Sequence, residues 1–205
     1  MTASMPKEME AEFRLIQNEL FTIIARWRTF VELYGTESHV ALLNNTAPLF
    51  FHIVQDIFVD SVILSILRLL DPAKSRRNDN LSIAHLIDHL SQAGLGTLHA
   101  EVAGLYSRIQ IDSAQLIKIR NKLLAHNDLV EKQSTSASLY AGVTRNLIDE
   151  QIQMLCNLMN KIHGSLSDTE TYYESAGNLP DGSPALLNAL RTVEQLRKQK
   201  VECDL

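Results

Sequence analysis

Between Lys7 and Tyr34 no glycine or proline interrupts a run in which apolar side chains return every three or four residues: Phe13, Ile16, Leu20, Ile23, Ile24, Trp27, Phe30 and Val31. That recurrence is the period of one face of an α-helix, and it predicts a single long amphipathic helix ended by Gly35. Asn45, Thr46 and Pro48 announce a second helix running to about Leu70, apolar over most of its girth. Its one polar lane is His52, Asp56 and Asp60, successive i,i+4 neighbours. Ser82 caps a short helix with Ile83, Leu86, Ile87 and Leu90 inward, stopped by Gly94 and Gly96. Further helices are expected over Leu98 to Ile109, Asp112 to about His126, and Thr144 toward Tyr173. With 8 glycines and 5 prolines in 205 residues and no strand-like alternation of useful length, the pattern predicts an all-α bundle of about six helices. The domain spans residues 1–177. Residues 178–205 form a linker, NLPDGSP, and a C-terminal amphipathic helix capped by Ser183 and Pro184, whose stripe is Leu186, Leu190, Val193 and Leu196. Such a helix either folds back on the bundle or docks on a partner.

The formal charge of -5 gives no global attraction to polyanions, so contact with nucleic acid must rely on a local basic patch. Lys74, Arg76 and Arg77, in the loop DPAKSRRNDN, gather such a charge, or else form a solvated connector. Cys156 and Cys203 match no metal spacing and read as free thiols of a reducing compartment, with Cys156 in the core. The N-terminus turns polar and acidic where a signal peptide needs an apolar stretch. The segment Leu49 to Leu70 contains His52, Gln55, Asp56, Asp60 and Arg68, which an isolated membrane span would hardly tolerate. It is expected to be a buried core helix of a cytoplasmic protein, with no membrane partner. His85, Asp88 and His89 place two histidines on one helix face, but opposite the apolar stripe and without a local third ligand. A solvated face is therefore expected there, and no metal.

In the helix ending near His126 the apolar stripe is Leu116, Ile117, Leu123 and Leu124, and Arg120 falls inside it. A guanidinium among leucines must find an anion, because an unpaired buried charge costs several kcal/mol or so. Asp56, Asp60 and Asp71 are the carboxylates on offer, and a structural ion pair is one full explanation of Arg120. Six residues at about 100° each place Arg120 and His126 roughly 120° apart in a continuous helix. Lys122 and His126 are i,i+4 neighbours, and Asn121 points between the directions of Arg120 and Lys122, a fan suited to lining a cleft between two copies of the chain. His126 has its own plainer reading, a last-turn cap of helix carbonyls.

Arg120-Asn121, four residues, then His126 resembles the signature of the HEPN superfamily. Ala47 to Lys74 and Asn80 to Leu90 resemble its abortive-infection, AbiU-like branch: Phe50 and Phe51 after a proline, Asp56 and Asp60, then Arg68-Leu69 and Asp71-Pro72. The likeness covers roughly Lys7 to Tyr173. Ser61 stands beside Asp60 where the pattern has a second acidic residue. The resemblance implies an HEPN-like helical bundle and a homodimer whose signature motifs face each other. It also implies a metal-independent endoribonuclease without a cofactor, working in abortive infection or as a toxin with an antitoxin or other protein partner. In that reading His126 is the general acid or base, Arg120 holds the scissile phosphate, and Asn121 orients either. Lys118, Lys122, Lys74, Arg76 and Arg77 supply positive field, and Asp56, Asp60, Arg68 and Asp71 support the site. The alternative is a non-catalytic dimerisation or interaction module with Arg120 in a structural ion pair.

Overall fold

The computed structural model describes residues 5–121, 143–167, 169–173 and 182–203. Among them are eight helices and one two-stranded hairpin: α1 (Lys7–Tyr34), α2 (Glu37–Thr46), α3 (Pro48–Leu69), β1 (Lys74–Ser75), β2 (Asn78–Asp79), α4 (Ile83–Gln92), α5 (Gly96–Asp112), α6 (Ala114–Ile119), α7 (Arg145–Ser167) and α8 (Ser183–Cys203). The fold is all-α, as expected. The chain divides into two compact units, Met1–Ile23 with Ile63–Tyr173 and Ile24–Val62 with Glu174–Leu205, so that α1 and α3 each serve both.

In the first unit the early turns of α1 bury Met9, Phe13, Ile16, Leu20 and Ile23, residues three or four apart, as the sequence periodicity requires. Ile63, Ile66 and Leu67 of α3, Ile83, Leu86 and Leu90 of α4, and Leu155, Leu158, Met159 and Ile162 of α7 are fully or almost fully buried with them. Helix α5 packs against α4 and α7. Ser82 caps α4 as expected, its hydroxyl accepting the His85 amide at 3.3 Å. Helix α7 ends at Ser167, six residues short of the expected limit. Beyond it the chain returns along the helix: the Thr171 amide donates to Asn160 Oδ1 at 2.9 Å, and Asn160 Nδ2 donates to the Thr171 carbonyl at 3.1 Å. Polar side chains thus satisfy backbone groups that a longer helix would have paired, and Tyr173 is buried against Phe21. Cys156 is a buried free thiol.

The second unit closes around Leu33, Leu42, Leu43, Phe51 and Leu187. Helix α2, which the sequence pattern did not announce, is capped by Thr36 and carries Leu42 and Leu43 into this cluster. Helix α8 folds back onto α2. Its buried line is Ser183, Leu187 and, in part, Leu190, whereas Leu186, Val193 and Leu196 of the expected stripe are exposed. Ser183 Oγ donates to Glu32, and Arg191 Nη2 lies 2.8 Å from His39 Nε2. Leu187, and not its neighbour Leu186, thus turns inward.

Two further expectations are corrected. Helix α3 is largely buried only in its C-terminal half; in its N-terminal half Phe51 is buried, but Leu49, Phe50, Ile53 and Ile57 are 50 to 72% exposed. By length and composition α3 is the one described helix apolar enough to cross a membrane. Yet its exposed arc also carries His52 and Asp56, with side chains 70% and 66% exposed, which suits water and not lipid. His85 and His89, expected on a wet face, are only 23% and 24% exposed, because Glu12 of α1 reaches across to both.

Candidate functional site

Helix α6 begins at Ser113, which is fully buried and donates its hydroxyl to Gln151 Oε1 of α7 at 2.6 Å. The inner line then runs Ser113, Leu116, Ile119 at i,i+3 spacing, with Ile117 only half-buried. Arg120 comes about 100° round the axis from Ile119 and so leaves the core for its border. This corrects the expectation of a guanidinium inside a leucine stripe; Leu123 and Leu124 lie outside the described residues. At Arg120 and Asn121 the helix widens into a π-type turn, a local adjustment often found where a side chain must be re-aimed.

Of the three carboxylates offered by the sequence, Asp71 is the one that meets Arg120: Nη1 donates to Asp71 Oδ1 at 2.9 Å. The two side chains are 30% and 35% exposed. A charge-assisted bond of this kind fixes direction, while the remaining exposure screens the pair to about 1 kcal/mol. Arg120 Nε also donates to Asn121 Oδ1 at 3.2 Å. Two of the five guanidinium N–H groups are thus engaged among the described residues, and nearly a third of the side chain still meets solvent.

Asp71 is itself held in place. It follows the end of α3, where the carbonyls of the last turn need donors. Tyr106 of α5 supplies one, its hydroxyl donating to the Leu70 carbonyl at 2.9 Å and accepting from Gln110 Nε2 at 2.9 Å. Burial, and secondarily the charge of Asp71, push the Tyr106 hydroxyl pKa above its ordinary value. Tyr106 therefore stays a neutral donor beside the ion pair. Neither Tyr106 nor Gln110 was singled out in the sequence. Their signal was an i,i+4 polar pair late in an otherwise ordinary helix, too common to stand out.

Three residues after Asp71 the chain enters the hairpin, so β1 starts within about 11 Å of it even if fully extended. Asn80 pins its base, with Nδ2 donating to the Pro72 carbonyl and to Ser75 Oγ, both at 2.8 Å. Lys74 pairs with Asp79 across the ladder at 3.2 Å. Arg76 and Arg77 occupy the tip, both exposed, and Arg76 takes a φ of +56°, the left-handed region that non-glycine residues rarely enter.

Lys118, Asn121 and Arg68 are exposed; Arg68 lies in the last turn of α3, where its charge complements the helix dipole. Asp56 lies 3.9 Å from His52, its i,i+4 neighbour, and Asp60 is half-buried. Lys122 and His126 lie outside the described residues.

The described fold is all-α and carries Arg120-Asn121 directly after α6. The family model of AbiU2, an HEPN family, matches residues 6–179, and the chain belongs to that family. Helix α8 lies beyond the matched segment. No curated protein and no solved structure matches the chain.

Proposed function

We propose that the chain is an endoribonuclease of the HEPN type, cutting RNA without a metal ion in abortive infection or as a toxin neutralised by a protein partner. The chemistry uses the substrate's own nucleophile. The RNA 2′-hydroxyl attacks the adjacent phosphorus as the bond to the 5′-oxygen of the next nucleotide breaks, leaving a 2′,3′-cyclic phosphate and a 5′-hydroxyl. His126 removes the proton of the 2′-hydroxyl or protonates the leaving oxygen, work suited to a group that titrates near neutrality. Arg120 holds the phosphate and stabilises the extra negative charge of the transition state. Asn121 orients one or the other.

The observation that carries this reading is the state of Arg120: aimed by Asp71 yet still open to solvent, it can accept a phosphate without unfolding its surroundings. Lys118, Lys122, Lys74, Arg76 and Arg77 are assigned the local positive field that an acidic chain otherwise lacks. Lys74, already paired with Asp79, contributes less than the two arginines at the hairpin tip. Asp71 supports the site by direct contact; for Arg68, Asp56 and Asp60 a supporting role rests on the family resemblance alone.

A homodimer is part of the proposal, because the sequence spacing of Arg120 and His126 suits a cleft shared by two copies better than a site closed by one. The exposed residues Leu49, Ile53, Ile57 and Phe50 follow one another round a single arc of α3, with His52 and Asp56 along its edge. An apolar centre with a polar rim is the usual anatomy of a protein interface, and a second copy is the occupant we assign to it.

The ion pair also supports a second reading, a non-catalytic interaction module in which Asp71 alone explains Arg120. Purified protein distinguishes the two. Arg120→Ala and His126→Ala should each abolish cleavage of single-stranded RNA while the thermal melt stays near wild type. Self-association with no RNA turnover by the wild-type chain would favour the module.

A further inference from the structure

We propose that Glu12, His85 and His89 form a binding site for one divalent transition-metal ion of the zinc class, clamping α1 to α4. His85 and His89 are i,i+4 neighbours on α4 and so project from the same side of it. Glu12 comes from α1, seventy-three residues earlier in the chain. Its carboxylate approaches both rings, Oε1 at 2.8 Å from His85 Nδ1 and Oε2 at 3.3 Å from His89 Nε2. The three donor atoms all lie within 4.8 Å of one another. Zinc bonds of about 2.0–2.1 Å set donor separations of roughly 3.3 Å in a tetrahedron, so small side-chain rotations bring all three onto one ion.

Burial separates this cluster from a chance meeting of surface charges. The side chain of Glu12 is 11% exposed and those of the histidines 23% and 24%. The rings meet edge to face, 77° apart with centroids at 4.9 Å, which holds both toward the same carboxylate. Without an ion His85 Nδ1 is hydrogen-bonded to Glu12 Oε1, and His89 Nε2 lies 3.3 Å from Oε2. An ion is bound when these two ring nitrogens carry no proton, so that their lone pairs, with the carboxylate, face the metal. Two imidazoles and one carboxylate suit zinc, cobalt or nickel, whereas magnesium and calcium prefer oxygen alone. Three protein ligands and partial exposure leave the fourth position to water. The site is independent of the RNA chemistry proposed for Arg120 and stands or falls separately.

The probe is Co2+ added to the full-length, tag-free chain after chelator treatment. Visible absorption of tetrahedral cobalt should rise to a plateau at one ion per chain and be displaced by Zn2+. Zinc at a hundredfold excess over its Kd should raise the Tm by roughly 5–10 °C. Glu12→Gln, nearly the same shape, and His89→Gln should remove both the colour and the shift. No stoichiometric cobalt spectrum in the wild-type chain overturns the proposal without recourse to any variant. A spectrum unchanged in folded Glu12→Gln or His89→Gln protein overturns it equally.

Discussion

The guanidinium of Arg120 comes where α6 gives way to a π-type turn, and an aspartate following the end of α3 fixes its direction. In the proposed reaction Asp71 is therefore a positioning residue. Asp71→Asn keeps the shape but removes the charge; RNA cleavage should fall about tenfold to a hundredfold, the scale of a misplaced catalytic group, while RNA affinity changes little. Turnover and binding titrations on the same samples check this, and an unchanged turnover would remove Asp71 from the site. Cys156 offers an independent test of the core. Burial pushes its thiol from 9.0 up to about 12. The unfolded chain loses this proton first, so the group contributes stability that is full below about pH 9 and is lost as the pH rises toward 12. Denaturant melts of wild type and Cys156→Ala across that window should converge as pH rises. In the folded protein at pH 8 this thiol should resist alkylation.

At the level of elements, the hairpin of residues 74–79 carries two exposed arginines at its tip, and the proposed function assigns that charge to RNA. Replacing Arg76 and Arg77 with alanine should weaken RNA binding with little effect on the fold. The salt dependence should flatten by about 0.7 in slope for each RNA phosphate no longer neutralised. Equal slopes for variant and wild type would place the RNA elsewhere. This hairpin was not legible in the sequence because all four paired residues are exposed and none alternates with an apolar neighbour. Helix α2 escaped for a related reason: ten residues with two buried leucines are too short a stretch for a period to declare itself. Where burial was continuous the sequence spoke clearly, and the limits of α1 and the cap of α4 follow from Gly35 and Ser82. The partner of Arg120 was legible only as one of three aspartates, since the choice depends on how Tyr106 and Asn80 tie down the chain around Asp71. Glu12 could not be paired with His85 and His89 at all, because no local spacing links residues that meet only through packing.

On the scale of the whole molecule, a chain of formal charge -5 has no global attraction for RNA, so the proposed activity requires its positive groups to be concentrated locally, and the proposed homodimer would double their number. Ile57→Arg, placed in the exposed apolar arc of α3, should yield a monomer by light scattering, with cleavage lost and the melting temperature nearly unchanged. A dimer surviving that change would leave the arc to another partner. The most direct test of the proposed chemistry uses two single-stranded oligonucleotides of one sequence, one RNA and one carrying 2′-O-methyl groups throughout, incubated with the wild-type protein. Attack by the 2′-hydroxyl requires that the RNA be cut to 2′,3′-cyclic phosphate and 5′-hydroxyl ends and that the methylated strand remain whole. Cleavage of the methylated strand, or RNA products ending in a 5′-phosphate, would contradict it.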